Sequence, residues 1–334
     1  MSTSPGPGPV GTDAPPPPRH GITVPIDGFS MAEHRAIFEE IEALGFTDVW
    51  SAEVAGADAF TPLVLAAAWA PSLRLGTAII PAFTRGPAAL ASQVAALCSA
   101  APGRVAVGIG SSSNVIVEQW NGGRFEHPYQ RVRDTLRFLR RALTGEKITE
   151  EFDTFAVTNY RLSLPVEEQP PILVAALRPQ MLTLAGREGD GAIINWLTPD
   201  DVRTVTPVVG EGKEIVARIF VLPTDDRTVL DAVGRRAITS YLTVPVYAKF
   251  HEWLGRGDAL REMWDAWAAG DRKAATAAVP EAFLEEVVVW GSPADIKAKI
   301  ARYVENGVTT PIPIVLGSGP AALETIRAIA PAGV

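Results

Sequence analysis

LRLGTAIIP (73–81), the alanine-rich run GPAALASQVAALCSAA (86–101) and RVAVGIG (104–110) together decide the fold. Two short runs of branched and small apolar residues flank a long helical segment with Pro87 in its first turn, where the fixed φ of proline suits a helix start. Both flanking runs are apolar almost throughout. That is the pattern of strands covered on both faces by parallel crossovers. The same beat continues outward in both directions. GITVPID (21–27) and TDVWSAE (47–53) read as strands. A capping box between Ser30 and Glu33 starts a helix carrying Phe38, Ile41 and Leu44, Gly45 stops it, and Thr61-Pro62 opens the next one. Further on, ILVAAL (172–177), AIINWL (192–197), EIVARIFVL (214–222) and the run at 308–316 are strand candidates. Helices fit at 128–144, 179–188, 200–207, 226–240 and 320–329. Eight strand–helix units predict an α/β fold, a (β/α)8 TIM-like barrel of about 250 residues plus insertions. A doubly wound open sheet is the competing arrangement. EFDTFAVTNYRLSLP (151–165) alternates in period two and predicts an inserted hairpin, and the aromatic-rich stretch 240–285 is too long for one connection.

The chain has 334 residues, of which 47% are apolar and 20% charged, enough for a full core. A net charge of −8 speaks against a nucleic-acid partner. The lone Cys98 excludes a disulfide framework and a four-cysteine zinc site. No apolar run reaches the roughly 18 residues of a membrane span. MSTSPGPGPVGTDAPPPPRH (1–20) holds seven prolines and no apolar stretch of the signal-peptide kind, so it reads as a disordered tail on a soluble, cytoplasmic protein. Residues 21–334 then form one barrel domain.

Several chemistries are missing. His20, His34, His127 and His251 are scattered with no metal-binding spacing, and His34 reads as a solvated residue on a helix surface. There is no GxSxG elbow and no GxxxxGK[ST] loop. Gly108-Ile-Gly110 is followed by Ser111, Ser112 and Ser113, so the dinucleotide fingerprint lacks its third glycine.

Other features can carry chemistry. GIGSSSN (108–114) follows a strand, and its backbone N–H groups and hydroxyls suit a phosphate; a polar helix-capping turn accounts for it equally. Ala175-Ala176-Leu177-Arg178-Pro179 ends another strand and allows close backbone approach beside a cation, or is an ordinary turn with a solvated arginine. Glu53 and Asp27 end strands two and one, where a carboxylate serves as acid–base group or as ion-pair partner. Asn195 and Trp196, ending strand six, offer a hydrogen bond and an apolar wall.

Taken with their order and strand context, RLGTAIIP, GRVAVGIGSSS and PPILVAALRPQMLTLAGREGDGAIIN resemble the luciferase-like monooxygenase superfamily, in its coenzyme F420-dependent oxidoreductase branch. The resemblance implies a barrel with the deazaflavin F420 in the mouth at the C-terminal strand ends. It places Thr77, Ala78 and Ile79 at a bulge against the cofactor face, with a non-prolyl cis peptide at Ala78-Ile79. It makes Gly110, Ser111, Ser112, Ser113, Ala176, Leu177, Arg178 and Pro179 the cofactor-side turns, with Asp27 and Asn195 beside them. Sugar-phosphate dehydrogenases of the branch carry histidine where Glu53 falls, aspartate where Ala52 falls and glutamate near Ser113. Their absence points to a reductase of C=C, C=N or C=O bonds, or to a dehydrogenase with different acid–base groups, that uses Glu53 with a proton donor from the aromatic insertion. There Tyr241, Tyr247, Phe250, His251 and Trp253 share a helical face, and Tyr247 and His251 are the candidates. An FMN-dependent monooxygenase, or a cofactor-binding member without turnover, is the alternative. The resemblance also implies a homodimer acting on a small molecule, with no metal.

Overall fold

The computed structural model describes residues 19–331. Its strands are β1 (Gly21–Val24), β2 (Asp48–Ser51), β3 (Arg74–Thr77), β4 (Ile80–Pro81), β5 (Val105–Gly110), β6 (Ile148–Glu151), β7 (Ala156–Tyr160), β8 (Ile172–Ala175), β9 (Gly191–Asn195), β10 (Glu214–Leu222), β11 (Val289–Trp290) and β12 (Thr310–Val315). All except β6 and β7 lie in one parallel sheet ordered β1-β2-β3-β5-β8-β9-β10, with β12 on the far side of β10. Since β4 continues the path of β3, the curled sheet is an eight-position TIM-like barrel, with helices outside it. The open-sheet alternative is set aside.

The seam between β12 and β1 closes by packing. Pro311 and Pro313 cannot donate to a ladder. Instead, Gly21 lies so near β12 that a Cβ there would stand 2.6 Å from the Ile312 side chain, and Thr23 donates its hydroxyl to the Ile312 carbonyl at 3.5 Å. Inside the barrel Trp50 is fully buried with Ala106, Leu173, Ile193, Val216 and Ile312. Gly76 makes room for the indole, because a Cβ there would come within 2.2 Å of the ring. At the N-terminal end Arg74 clamps Glu214 with two bonds of 2.6 and 2.8 Å, and the buried Asp48 pairs with both Arg74 and Arg19.

Arg19 and His20 are therefore part of the folded chain, since the His20 N–H also reaches the Thr47 hydroxyl at 2.8 Å. The described residues begin two positions before the expected boundary at Gly21. The rest of the expected tail, residues 1–18, lies outside the described residues. The inserted hairpin exists, but it runs earlier than 151–165: β6 pairs antiparallel with β7. The larger insertion is also wider than 240–285. Helical segments fill the chain from Arg227 to Val287, packed in their own cluster around Leu230, Ile238, Leu242, Leu260 and Leu284. The helix expected at 226–240 belongs to this insertion. The barrel's own helix at that position is Pro293–Glu305, started by a capping box between Ser292 and Asp295. It docks by burying Ile296 and Tyr303, whose hydroxyl donates to the Leu197 carbonyl at 2.7 Å. His34 is fully buried, not solvated: its Nε2 accepts the Ile26 N–H at 2.9 Å, and its Nδ1 lies 2.7 Å from the Ser30 carbonyl. Helical spacing alone could not place it, because the β1–helix loop folds back over that face.

Candidate functional site

The C-terminal strand ends form the mouth. On one side, β3 breaks at Ala78-Ile79, which is a non-prolyl cis peptide as expected, and resumes as β4. The break is tied on both flanks: the Ala78 N–H donates to the Ser51 carbonyl at 2.6 Å, and the Ile79 carbonyl accepts the Glu53 N–H at 3.3 Å. Ile79 is half-buried and faces Gly110. A Cβ at Gly110 would stand 2.8 Å from the Ala175 Cβ and 3.1 Å from the Ile79 side chain. Ile79 and Ala175 thus pack over Gly110, and the three make one close-packed wall.

The two turns beyond that wall come together because their strands are neighbours. Ile109 of β5 registers with Val174 of β8, so Ser111–113 and Ala176–Pro179 leave the barrel side by side. Ser112 has φ 62°, a left-handed conformation that non-glycine residues seldom adopt. The Ser113 hydroxyl accepts the Ile116 N–H at 3.4 Å, so it caps the helical turn that follows. Ala176 is buried and its N–H is used by the Ile193 carbonyl at 3.0 Å. Leu177 is half-buried, whereas Arg178 and Pro179 are exposed, with Pro179 opening the helix Pro179–Arg187. Asp27 is exposed at the mouth, and its carbonyl accepts the Gly319 N–H at 2.7 Å, which joins the first loop to the last.

Three expected side chains are otherwise engaged. The Thr77 hydroxyl donates to the Gly108 carbonyl at 3.0 Å and accepts the Gly108 N–H at 2.8 Å, so it stitches β3 to β5 and its one donor is used. Glu53 is the ion-pair partner of Arg85, held by two bonds of 2.6 Å, with the Thr84 hydroxyl and the Ala59 N–H each at 3.3 Å. Its carboxylate oxygens are occupied, which removes it as the free acid–base group. His251 is fully buried between Phe250 and Phe283, and neither ring nitrogen has a hydrogen-bond partner. Burial, with the Arg256 cation beside it, pushes its imidazole down to about 4. It is a neutral packing residue and not a donor at the mouth.

The opposite side of the mouth is aromatic and polar. Trp196 follows β9 with φ 53°, stacks on Phe220 at 3.9 Å between centroids and meets Tyr241 at 4.8 Å. Tyr247, from the insertion helix Pro245–Trp253, accepts a hydrogen bond from the Asn195 amide at 3.1 Å, and burial pushes its hydroxyl up to about 12. Between them lies a residue passed over in the sequence, Arg218 of β10. It registers with Asn195 on β9 and Ile312 on β12. The only signal for it was a charge at an inward position in a strand that is otherwise apolar after Glu214.

Among the described residues no group of three or more histidine, cysteine or acidic side chains is placed to hold a metal, and no helix is long and apolar enough to cross a membrane. Residues 9–310 match the family model for luciferase-like monooxygenases, and the chain belongs to that family. It is 26% identical over 311 residues to a Mycobacterium tuberculosis protein named as a coenzyme F420-dependent oxidoreductase, covering 83% of this chain and 88% of that one. The coenzyme F420-dependent tetrahydromethanopterin reductase of Methanopyrus kandleri has the same fold, with a TM-score of 0.75 at 19% identity over 94% of this chain and 97% of that one. The oxygenating constituent of a type II Baeyer–Villiger monooxygenase from Pseudomonas putida, in complex with FMN, aligns at a TM-score of 0.64 and 17% identity over 94% and 97% of the two chains.

Proposed function

We propose that this protein is an F420-dependent oxidoreductase, working as a reductase of a small organic substrate. The observation that carries the reading is the close-packed wall of Ile79, Gly110 and Ala175, flanked by the paired turns 111–113 and 176–179. A flat tricyclic ring fits against such a wall, and the exposed Arg178 with the serine turn suits the phosphate of its tail. The family and its F420-dependent relatives support the same group. Deazaflavin supplies a carbon that gives or accepts hydride without the oxygen reactivity of flavin. The residues of this chain hold the ring at one wall, keep water off it with the aromatic cluster of Trp196, Phe220 and Tyr241, and offer the Tyr247 hydroxyl as proton source. Because the Tyr247 oxygen accepts from Asn195, its own hydrogen is free to be donated.

FMN is the second reading, since an FMN-bound enzyme has the same fold. Titrating the apo-protein with F420 and with FMN separates the two. Tight F420 binding and oxidation of F420H2 by an enone or imine panel, independent of oxygen, are expected. Tight FMN binding with oxygen-dependent turnover overturns the proposal, and F420 binding without oxidation by any acceptor leaves a binding protein.

A further inference from the structure

Arg218 occupies an unusual electrostatic position. Its strand is apolar on both sides, and its register partners place it at the level of Asn195 and Ile312, facing the barrel interior near the mouth. Its guanidinium carbon lies 5.9 Å from the Phe220 ring, and its Nε is buried without a hydrogen-bond partner. The polar groups that bear on its charge are the hydroxyls of Tyr241 and Tyr247, and no carboxylate is among them. Burial pulls its pKa down from the ordinary guanidinium value, yet arginine in a protein stays protonated. Two other part-buried arginines are paired with carboxylates: Arg74 with Glu214 and Asp48, and Arg85 with Glu53. The residue is not sealed off, being partly accessible from the mouth.

Burying part of this cation without a partner is costly, and no carboxylate of the described residues pairs with it, so an anion entering from the mouth is its natural complement. A neutral carbonyl offers hydrogen bonds but leaves the charge uncancelled, whereas a carboxylate matches the planar fork with two bonds and cancels it. The wall carrying Ile79, Gly110 and the phosphate-suited turns lies on β4, β5 and β8, while Arg218 lies on β10 beside Asn195 and Tyr247. The anion belongs on the second side. We propose that Arg218 is a specificity-determining residue that binds a carboxylate on the substrate, with the half-buried Tyr241 and Tyr247 beside the body attached to it and the buried Trp196–Phe220 stack behind them. This deepens the proposed function by naming the substrate class, and it rests on that reading for the cofactor's side of the mouth.

The test uses benzoate and benzamide, which share one shape and differ in charge, titrated by calorimetry into the full chain with and without saturating F420. Benzoate is expected to bind about ten-fold or more tightly than benzamide, the margin of a charge-assisted bidentate pair over a neutral contact. Arg218→Gln should erase that preference while leaving benzamide binding within about two-fold, and Arg218→Lys should restore part of it. F420 affinity should stay within about three-fold in both variants. Equal binding of acid and amide, or no binding of either, overturns the proposal. So does a loss of F420 affinity of ten-fold or more in Arg218→Gln, which assigns the guanidinium to the cofactor. If F420 fails to bind the unmodified protein, the functional reading falls, and the acid–amide comparison on the apo-protein still decides the anion site.

Discussion

Asn195, the last residue of β9, holds the Tyr247 hydroxyl at 3.1 Å and so fixes a side chain of the insertion to the barrel it covers. The contact spans 52 residues of sequence, and under the proposed function it brings the insertion to the reacting groups. Tyr247 stays protonated over any practical pH range, because burial pushes it up to about 12. Tyr247→Phe is expected to lower kcat for F420H2 oxidation by about 10²-fold with KM little changed, the signature of a lost proton donor. The pH–rate profile should show no limb assignable to Tyr247 below pH 10. Steady-state kinetics on both proteins check this, and an unchanged kcat removes Tyr247 from the reaction.

Glu53 and Arg85 give a prediction opposite to the one their positions in the sequence suggest. A carboxylate at a strand end reads as an acid–base group, but this one is engaged on both oxygens. Glu53→Gln should cost about 1–3 kcal/mol of stability, less than a fully buried pair because both side chains keep some solvent contact. Activity per folded molecule should fall by less than about ten-fold and keep its pH profile. Thermal melts and kinetics on the same preparation separate the two effects, and a collapse of kcat at unchanged stability restores the catalytic role.

The strand–helix beat was legible because parallel strands buried on both faces leave continuous apolar runs, and β5 is buried at every position. Helical periodicity was legible too, but not which helices pack on the barrel. The segment near 226–240 and Pro293–Glu305 both have the pattern, and only the two-residue pairing of Val289 and Trp290 with Val221 and Leu222 shows that the second one resumes the barrel. Ser292, Pro293 and Asp295 would have flagged that start. At the mouth, sequence brought out the turns, since glycine and serine after a strand are local signals. It missed Arg218, it put His34 on the surface and offered His251 as a donor, and of the two roles it left open for Glu53 the structure shows the ion pair. What those side chains do depends on partners from 8 to more than 30 residues away, which spacing does not reveal.

His251 offers a pH test of burial. Its imidazole falls from 6.5 to about 4 on folding, so between those values the unfolded chain holds a proton that the folded chain does not. The contribution is therefore present above pH 6.5 and lost as pH falls toward 4, amounting to roughly 3 kcal/mol at most. His251→Phe, which suits a site between Phe250 and Phe283, should flatten the stability curve in that window. Denaturant melts from pH 7 to 4 report it, and parallel curves for the two proteins would show that His251 is protonated in the folded chain.

At the other end of the barrel, Arg74 and Glu214 titrate in a lower window. Burial alone would raise the Glu214 carboxyl, but Arg74 outweighs it and, with the Thr310 hydroxyl donating at 2.8 Å, holds the group below its ordinary 4.5. The pair's stabilisation is accordingly complete above the ordinary carboxylate value and is lost as pH falls through the lower, folded-state value. Glu214→Gln should cost about 3 kcal/mol near neutrality, because Arg74 keeps only Asp48 as a partner, and the acid limb below pH 4.5 should become shallower. His251 and Glu214 share no partner, so a His251→Phe/Glu214→Gln double variant should lose both limbs additively. Melts of the four proteins across pH 3–7 test the assignment. An acid limb in Glu214→Gln as steep as in the unmodified protein would place the low-pH titration on another carboxylate.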